Sequence, residues 1–161
     1  MTQRIILITG GSEGMGLAAA ERFHAMGDQV VITGRSHEKM NKVSSRHSGI
    51  HTIVSDISCP DDRVRLFADI REHFGHIDVF FANAGLGLFK PFADISEEDF
   101  DFIADVNYKV LFFSLQGALS LMPHRSKIIV NASWTHHRAL EGASLYSSTK
   151  AAARYLVKAL A

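Results

Sequence analysis

Short apolar runs alternate along the chain with segments whose apolar residues recur at helical spacing. The runs are rich in Ile, Val and Phe and nearly continuous, as in strands of a parallel sheet that is covered on both faces. They predict strands over residues 5–9, 30–33, 52–54, 77–82 and 127–130. The segments between them predict helices over residues 15–26, 36–46, 60–74, 96–122 (as two consecutive helices) and 146–161. Strands that alternate with helices predict an α/β chain, because parallel neighbours need helical crossovers.

A glycine-rich turn after the first predicted strand refines this fold class. The sequence Thr-Gly-Gly-Ser-Glu-Gly-Met-Gly occupies residues 9–16, between a strand and a helix. This arrangement is typical of a Rossmann-type doubly wound parallel sheet with helices on both faces. The sequence contains no internal repeat, low-complexity tract or linker, so residues 1–161 are predicted to form one dinucleotide-binding domain.

Local patterns also predict helix starts and core positions. Ser36 and Ser96 are expected to be N-caps of their helices, and acidic residues follow Ser96 in the first turn. The predicted inward residues of the helix over 60–74 are Val64, Phe67, Ala68 and Ile70. The two Phe pairs, Phe80-Phe81 and Phe112-Phe113, are expected in the core of the sheet and of a helix.

The composition of the chain limits the classes of binding partner and the cellular compartment that are expected. The formal net charge is zero, from 17 basic and 17 acidic residues, which argues against nucleic acid or an anionic membrane as partner. No apolar run approaches the about 20 residues of a membrane span. Cys59 is the single cysteine, so no intramolecular disulfide can form and a cytoplasmic location is expected. The histidines, including His136 and His137, fall in no set with metal-ligand spacing, so no metal site is predicted.

The glycine turn has the properties of a phosphate-binding loop. Gly10, Gly14 and Gly16 allow a tight turn, a close approach of the backbone to a pyrophosphate, and packing of the helix on the sheet. The helix N-terminus near Met15 presents free N–H groups to phosphates, and Ser12 lies in the same turn. A tight loop without a ligand could use the same glycines, but the strand-turn-helix context favours a dinucleotide site.

Three polar side chains near the end of the chain suggest proton transfer. Tyr146 and Lys150 are four residues apart, so a helix places them on one face. A neighbouring ammonium favours the phenolate form of a phenol, which can then exchange a proton with a carbonyl or alcohol oxygen. Ser133 can donate a hydrogen bond to a developing alkoxide. Taken singly, each of these residues could equally be an ordinary surface or strand-end residue.

Taken together, these motifs resemble the short-chain dehydrogenase/reductase family, classical type. Residues 9–16 match the family's Thr-Gly-x-x-x-Gly-x-Gly, and residues 83–85 match its Asn-Ala-Gly. Asn107 matches the family's helix asparagine, and Ser133 precedes Tyr146 by the thirteen residues usual in the family. Tyr146 and Lys150 match its Tyr-x-x-x-Lys pair. The resemblance spans the entire chain.

This resemblance implies an NAD(P)-dependent oxidoreductase that reduces carbonyls or oxidises alcohols by hydride transfer. The implied catalytic residues are Asn107, which supports the proton relay, Ser133, Tyr146 and Lys150, which also holds the nicotinamide ribose. The implied cofactor-binding residues are Gly10, Ser12, Gly14, Met15, Gly16, Arg35, Asp56, Ile57, Asn83, Ala84, Gly85, Tyr146 and Lys150. The substrate would be a small carbonyl or alcohol, and the partner a second copy or further copies of the chain, in a homodimer or homotetramer.

The choice of cofactor depends on the end of the second predicted strand. An acidic residue there would bind the ribose diol of NAD, whereas this chain has Gly34 and Arg35. Arg35 can pair with a 2′-phosphate, so NADP is favoured and NAD stays possible. Family members that use NADP often carry a second basic residue before the middle glycine. Glu13 stands there instead, and its carboxylate would repel the phosphate if it pointed inward.

In length the chain departs from the family, because it ends before the family's last strands. The resemblance therefore implies that the C-terminal third, with its strands and substrate-covering helices, is lacking. Three explanations stay open: an ordered part of a longer chain, a truncation that still binds nucleotide but catalyses poorly, and a non-catalytic module that buries its edge against a partner. The alternative function is accordingly a catalytically silent nucleotide-binding or scaffold module of the same fold.

Overall fold

A five-stranded parallel sheet forms the centre of the computed structural model, which describes residues 3–161. The strands are β1 (Ile5–Thr9), β2 (Gln29–Gly34), β3 (Ile50–Val54), β4 (Val79–Ala82) and β5 (Lys127–Val130). They lie in the order β3-β2-β1-β4-β5, and every neighbouring pair is parallel. The predicted Rossmann-type doubly wound α/β fold is confirmed.

Within residues 3–161, six α-helices connect and flank the strands. They are α1 (Gly14–Ala25), α2 (His37–Arg46), α3 (Pro60–Phe74), α4 (Glu97–Ala104), α5 (Val110–Leu119) and α6 (Ser144–Leu160). Short 3₁₀ turns cover Phe92–Asp94 and Trp134–His136, and a π-helical turn at Asp105–Lys109 joins α4 to α5. Both predicted N-caps are confirmed, since Ser36 Oγ accepts from the Lys39 N–H and Ser96 forms a capping box with Asp99.

Helices cover both faces of the sheet because alternate strand residues point to opposite sides. Leu7 of β1 packs into the core with side chains of α3, α5 and α6. Its neighbours Ile6 and Ile8 pack into the other core, with Ala20 of α1 and Met40 of α2. The two covered faces explain why the strands are apolar throughout rather than alternating.

The prediction for the inward face of α3 was partly wrong. Phe67 and Ile70 are buried as expected, but Val64 is 70% exposed and Ala68 is exposed. The core-facing stripe includes Leu66 instead, because the side of the helix that packs on the sheet is the side that holds Leu66, Phe67 and Ile70.

The prediction for Phe112 and Phe113 was also wrong. Each is 41% exposed, whereas Phe80 is fully buried as expected. The inward stripe of α5 runs through Leu111, Leu115 and Ala118, which leaves the two Phe rings on the outer face. Among residues 3–161, no helix combines the length and apolar character needed to cross a membrane.

The strand order positions the functional site. Crossovers from β1 lead to β2 on one side, and the chain returns to pair β4 on the other side of β1. In open parallel sheets, ligands bind in the crevice at the carboxyl ends of the strands where the winding direction changes. Here that crevice lies between the ends of β1 and β4.

Candidate active site and nucleotide cleft

The glycine turn after β1 depends on its glycines for different physical reasons. Gly10 and Gly14 adopt φ of +66° and +55°, in the left-handed region that side chains disfavour. Gly16 has no room for a side chain, because a Cβ there would overlap the Gly10 carbonyl oxygen and approach Asn83 Nδ2 to 2.7 Å. The first turn of α1 is thus pressed against its own loop, which fixes where the helix N-terminus points.

Asn83, directly after β4, holds this turn in place. Its Nδ2 donates to the backbone carbonyls of Thr9 at 3.2 Å and Gly10 at 3.0 Å. Asn131, directly after β5, donates from Nδ2 to Asn83 Oδ1 at 3.1 Å. The ends of β1, β4 and β5 are therefore joined by a chain of amide hydrogen bonds, which makes the turn rigid.

A cleft of about 340 Å³ lies above these strand ends. Nine of the predicted cofactor-binding residues line it: Gly10, Ser12, Met15, Arg35, Asp56, Ile57, Asn83, Ala84 and Gly85. Gly14 is exposed and Gly16 is buried behind the turn, so neither forms part of the wall. Tyr146 and Lys150 are also outside the wall, but a Cβ on Gly85 would lie 3.0 Å from Lys150 Nζ. Lys150 is therefore directly behind the Gly85 wall of the cleft.

The cleft has the features that a dinucleotide requires. The side chain of Glu13, the N-cap residue of α1, makes no capping hydrogen bond, so it leaves the helix N-terminus free for an anion. Ser55 lines the cleft and is 4% exposed, yet its Oγ has no hydrogen-bond partner among residues 3–161. A buried hydroxyl without a partner is unfavourable unless a ligand or water pairs with it. The residues present thus fit a nicotinamide dinucleotide, with its pyrophosphate at the turn.

Tyr146 and Lys150 project from the first two turns of α6. The Lys150 Nζ lies 5.9 Å from the centre of the Tyr146 ring. Tyr146 is half-buried, and the Phe89 ring packs against it with 5.5 Å between centroids. The two predicted side chains are therefore neighbours, as the spacing of four residues requires.

Lys150 is a buried cation. It is 5% exposed, and its Nζ donates to the Asn131 backbone carbonyl at 2.8 Å. No carboxylate among residues 3–161 forms an ion pair with it. Burial therefore lowers the pKa of the Lys150 amine from its ordinary value. An uncompensated buried charge of this kind is a common feature of functional sites.

Asn107 is held in the π-helical turn between α4 and α5, where it is 2% exposed. Its Oδ1 accepts from the Leu86 N–H and its Nδ2 donates to the Leu86 carbonyl, both at 2.8 Å. Nδ2 also donates to Thr149 Oγ1 at 3.2 Å, and Thr149 donates to the Tyr146 carbonyl. Asn107 therefore connects the segment after β4 to the turn of α6 that carries Tyr146.

Ser133 lies after β5, where it caps the short 3₁₀ turn. Its Oγ accepts hydrogen bonds from the Thr135 N–H at 3.3 Å and the Thr135 hydroxyl at 2.9 Å. Because both bonds are accepted, the Ser133 proton remains available for donation.

Sequence reasoning missed several residues of this site. Asn131 connects Lys150 to Asn83, Thr149 connects Asn107 to α6, and Ser55 carries the unpartnered hydroxyl. Asn131 could have been found, because it is a polar residue directly after a strand, as Asn83 is. The remaining residues that line the cleft and were not assigned to it are Glu13, Thr33, Gly34, Ser58, Leu86, Val106 and Val110.

Burial of Lys150 predicts a specific pH dependence of stability. Its pKa is lowered in the folded protein from 10.5, so between the two pKa values the unfolded chain binds more protons. The free energy of unfolding therefore rises with pH in that window. We expect the wild type to gain stability relative to Lys150→Met as the pH rises from the lowered folded pKa towards the ordinary value of 10.5. Urea unfolding at several pH values measures this difference.

The exposed Lys158 of α6 provides the control for this experiment. The stability difference between wild type and Lys158→Met should stay flat over the same pH range. A flat difference for Lys150→Met as well would show that its ammonium is not desolvated on folding.

The comparison with known proteins agrees with this geometry. The sequence profile of the short chain dehydrogenase family matches residues 4–161. A sepiapterin reductase of Chlorobaculum tepidum is 35% identical, with 98% of this chain and 70% of that protein covered. An uncharacterized oxidoreductase of Staphylococcus haemolyticus is 33% identical over 92% of this chain and 66% of its own length.

Solved structures give the same result. A short-chain dehydrogenase from Streptomyces avermitilis has a TM-score of 0.94 and 26% identity, covering 100% of this chain and 60% of that one. An alcohol dehydrogenase from Thermococcus sibiricus, complexed with 5-hydroxy-NADP, has a TM-score of 0.92 and 29% identity, covering 99% and 70%. The chain thus spans about two thirds of the length of the relatives it matches. With a family profile and relatives that match nearly all of it, the chain belongs to the short-chain dehydrogenase family.

Proposed function

We propose that this protein is an NADP-dependent oxidoreductase that interconverts a carbonyl and an alcohol, with Tyr146 as proton donor. The observation that carries the proposal is the position of Lys150. Its buried ammonium lies behind the Gly85 wall of the cleft and 5.9 Å from the Tyr146 ring. A desolvated cation with no carboxylate partner has a strong electrostatic interaction with a polar or charged group that approaches it, because the local dielectric is low.

Binding and orientation come from the strand ends. The helix N-terminus after Gly14 would hold the pyrophosphate, and Asn83 keeps the turn in the required shape. Ser55, Asp56 and Ile57 would form the part of the wall that faces the adenosine. When bound, a nicotinamide cofactor supplies or accepts the hydride.

Proton transfer is assigned to the residues around α6. Tyr146 would give a proton to the carbonyl oxygen during reduction and take it back during oxidation. The free proton of Ser133 would stabilise the developing alkoxide. Lys150 would favour the phenolate of Tyr146 and bind the ribose, and Asn107 would position α6 through Thr149.

Arg35 carries the preference for NADP. It is exposed at the cleft, where it forms no ion pair with any residue from 3 to 161. A free guanidinium at the end of β2 suits a 2′-phosphate. The Thermococcus relative crystallised with an NADP derivative supports this choice.

The test of this proposal is a fluorescence titration with NADPH and with NADH. We expect the wild type to bind both, NADPH more tightly. Arg35→Leu should raise the Kd for NADPH about tenfold, or about 1.4 kcal/mol, and leave that for NADH unchanged. Arg46→Leu, an exposed arginine at the end of α2, is the matched control. Failure of the wild type to bind either nucleotide would refute the proposed function.

Self-association is part of the same proposal. Phe100, Phe102, Phe112 and Phe113 are between 41% and 55% exposed on α4 and α5. Apolar side chains gathered on neighbouring helices favour an interface between copies of the chain. We propose a homodimer or homotetramer built on these helices, with residues 1–161 of each copy acting as one dinucleotide-binding domain.

A further inference from the structure

An ion pair is formed by Glu13, which lines the cleft, and Lys39 of α2, which is outside the cleft wall. Glu13, in the glycine turn, accepts a hydrogen bond from the Lys39 Nζ at 2.7 Å. Glu13 lines the cleft together with Arg35. The pair therefore connects the turn after β1 to the first turn of α2, across the corner at which the adenosine ribose of a dinucleotide would lie.

The corner itself is compact. A Cβ on Gly34 would lie 3.4 Å from Ser12 Oγ, so the end of β2 and the glycine turn are in direct contact. Ser36 caps α2 through the Lys39 N–H, which fixes the base of the Lys39 side chain next to this contact. The backbone of Lys39 is thus fixed, and only its side chain is free to move. A lysine side chain is flexible enough to displace its ammonium by several ångströms.

Two charged side chains, Glu13 and Arg35, thus line this part of the cleft, and the Lys39 ammonium lies 2.7 Å from the Glu13 carboxylate. The side chains of Lys39 and Glu13 are 47% and 68% exposed, so the ion pair itself is weak. A 2′-phosphate bears nearly two negative charges at neutral pH and is a stronger partner for an ammonium than one carboxylate. The same phosphate is repelled by Glu13, whereas a ribose diol is not.

From this arrangement we propose that Lys39 is a second 2′-phosphate-binding residue, and that Glu13 restrains it by competing for its ammonium. Glu13 then sets how strongly the protein discriminates NADPH from NADH. The inference rests on the proposed function and adds to it, since the preference no longer depends on Arg35 alone.

The experiment is a double-mutant cycle, with Kd measured by NADPH and NADH fluorescence titration of the full chain. We expect Glu13→Gln to lower the Kd for NADPH about three- to tenfold, through lost repulsion and a freed Lys39. Lys39→Gln should raise it by a similar factor. Neither variant should change the Kd for NADH by more than about twofold.

The coupling between the two substitutions tests the competition directly. In the Lys39→Gln background, the gain from Glu13→Gln should shrink to the part that comes from lost repulsion alone, because no ammonium is left to release. Lys42→Gln is the matched control, since Lys42 lies on the same helix and pairs with Glu38 at 2.6 Å instead of Glu13. It makes the same change in net charge and should leave both Kd values unchanged.

Each result has a distinct meaning. Additive effects of the two substitutions would overturn the proposed competition. A Lys42→Gln effect as large as that of Lys39→Gln would mean that Lys39 acts only through its charge and makes no specific contact with the phosphate. Equal changes in the Kd values for NADPH and NADH would mean that the ion pair does not act on the 2′-phosphate. In all three cases nucleotide binding by the wild type would still support the proposed function, whereas no binding at all would refute both proposals.

Discussion

Replacing Tyr146 with Phe is expected to lower kcat for carbonyl reduction by about 10² to 10⁴, the usual contribution of a positioned proton donor. The substitution removes one hydroxyl and keeps the ring, so the packing against Phe89 should persist. The Tyr146 hydroxyl makes no hydrogen bond within residues 3–161, so its loss leaves no buried partner unsatisfied. Steady-state kinetics with NADPH and a carbonyl substrate found by screening measures the effect.

Tyr155→Phe is the matched control for this experiment. Tyr155 lies on the same helix, nine residues further on, and is 73% exposed. Its variant should keep the wild-type kcat, stability and Kd for NADPH. Activity that survives in Tyr146→Phe would refute the proposed proton donor. A wild type that binds NADPH but reduces no carbonyl would favour the catalytically silent module instead.

The part of the site that could be predicted is the part fixed by local geometry. Tyr146 and Lys150 share a helix face by spacing alone, and the turn over residues 9–16 needs only its neighbouring strand and helix. The extent of α3, Pro60–Phe74, was predicted correctly, because Pro60 and Gly75 mark its ends. The strand β5 was likewise predicted correctly, as an apolar run between polar residues.

Contacts between distant segments could not be predicted in this way. Glu13 and Lys39 are 26 residues apart, and no pattern in the sequence indicates that the Glu13 carboxylate pairs with a side chain of α2. The burial of Lys150 depends on Asn131, 19 residues before it, whose backbone carbonyl receives the ammonium. In both cases the sheet brings the partners together, and a lysine in an isolated helix would be assigned to solvent.

The π-helical turn illustrates a second limit. The helical pattern continues through residues 96–122, and its spacing predicts two helices without indicating what joins them. The turn at Asp105–Lys109 coincides with Asn107, whose amide binds both backbone groups of Leu86. π-Helical turns inside helices are frequent at functional sites, where tertiary contacts stabilise a backbone that local propensity does not favour.

The second large effect is expected for Gly16→Ala, which should raise the Kd for NADPH more than about tenfold. The added methyl group would overlap the Gly10 carbonyl oxygen and crowd Asn83 Nδ2. The first is a backbone atom and the second belongs to a hydrogen-bonded amide, so neither can move away without a cost in energy. The turn must therefore shift, and its N–H groups no longer point towards the pyrophosphate. Both nucleotides should lose affinity equally, because the pyrophosphate is common to them.

Gly11→Ala separates this effect from a general loss of stability. Its Cβ would lie 2.5 Å from Ile32 Cβ, so it also strains the same turn, but against the core of β2 rather than against Gly10. Each variant should lose about 1–3 kcal/mol of stability by overpacking, measured by thermal unfolding. At a temperature where both remain folded, only Gly16→Ala should bind nucleotide poorly. Equal loss of binding in both variants would mean that the contact of Gly16 with Gly10 has no specific role, and wild-type binding by Gly16→Ala would refute the assignment of the pyrophosphate to this turn.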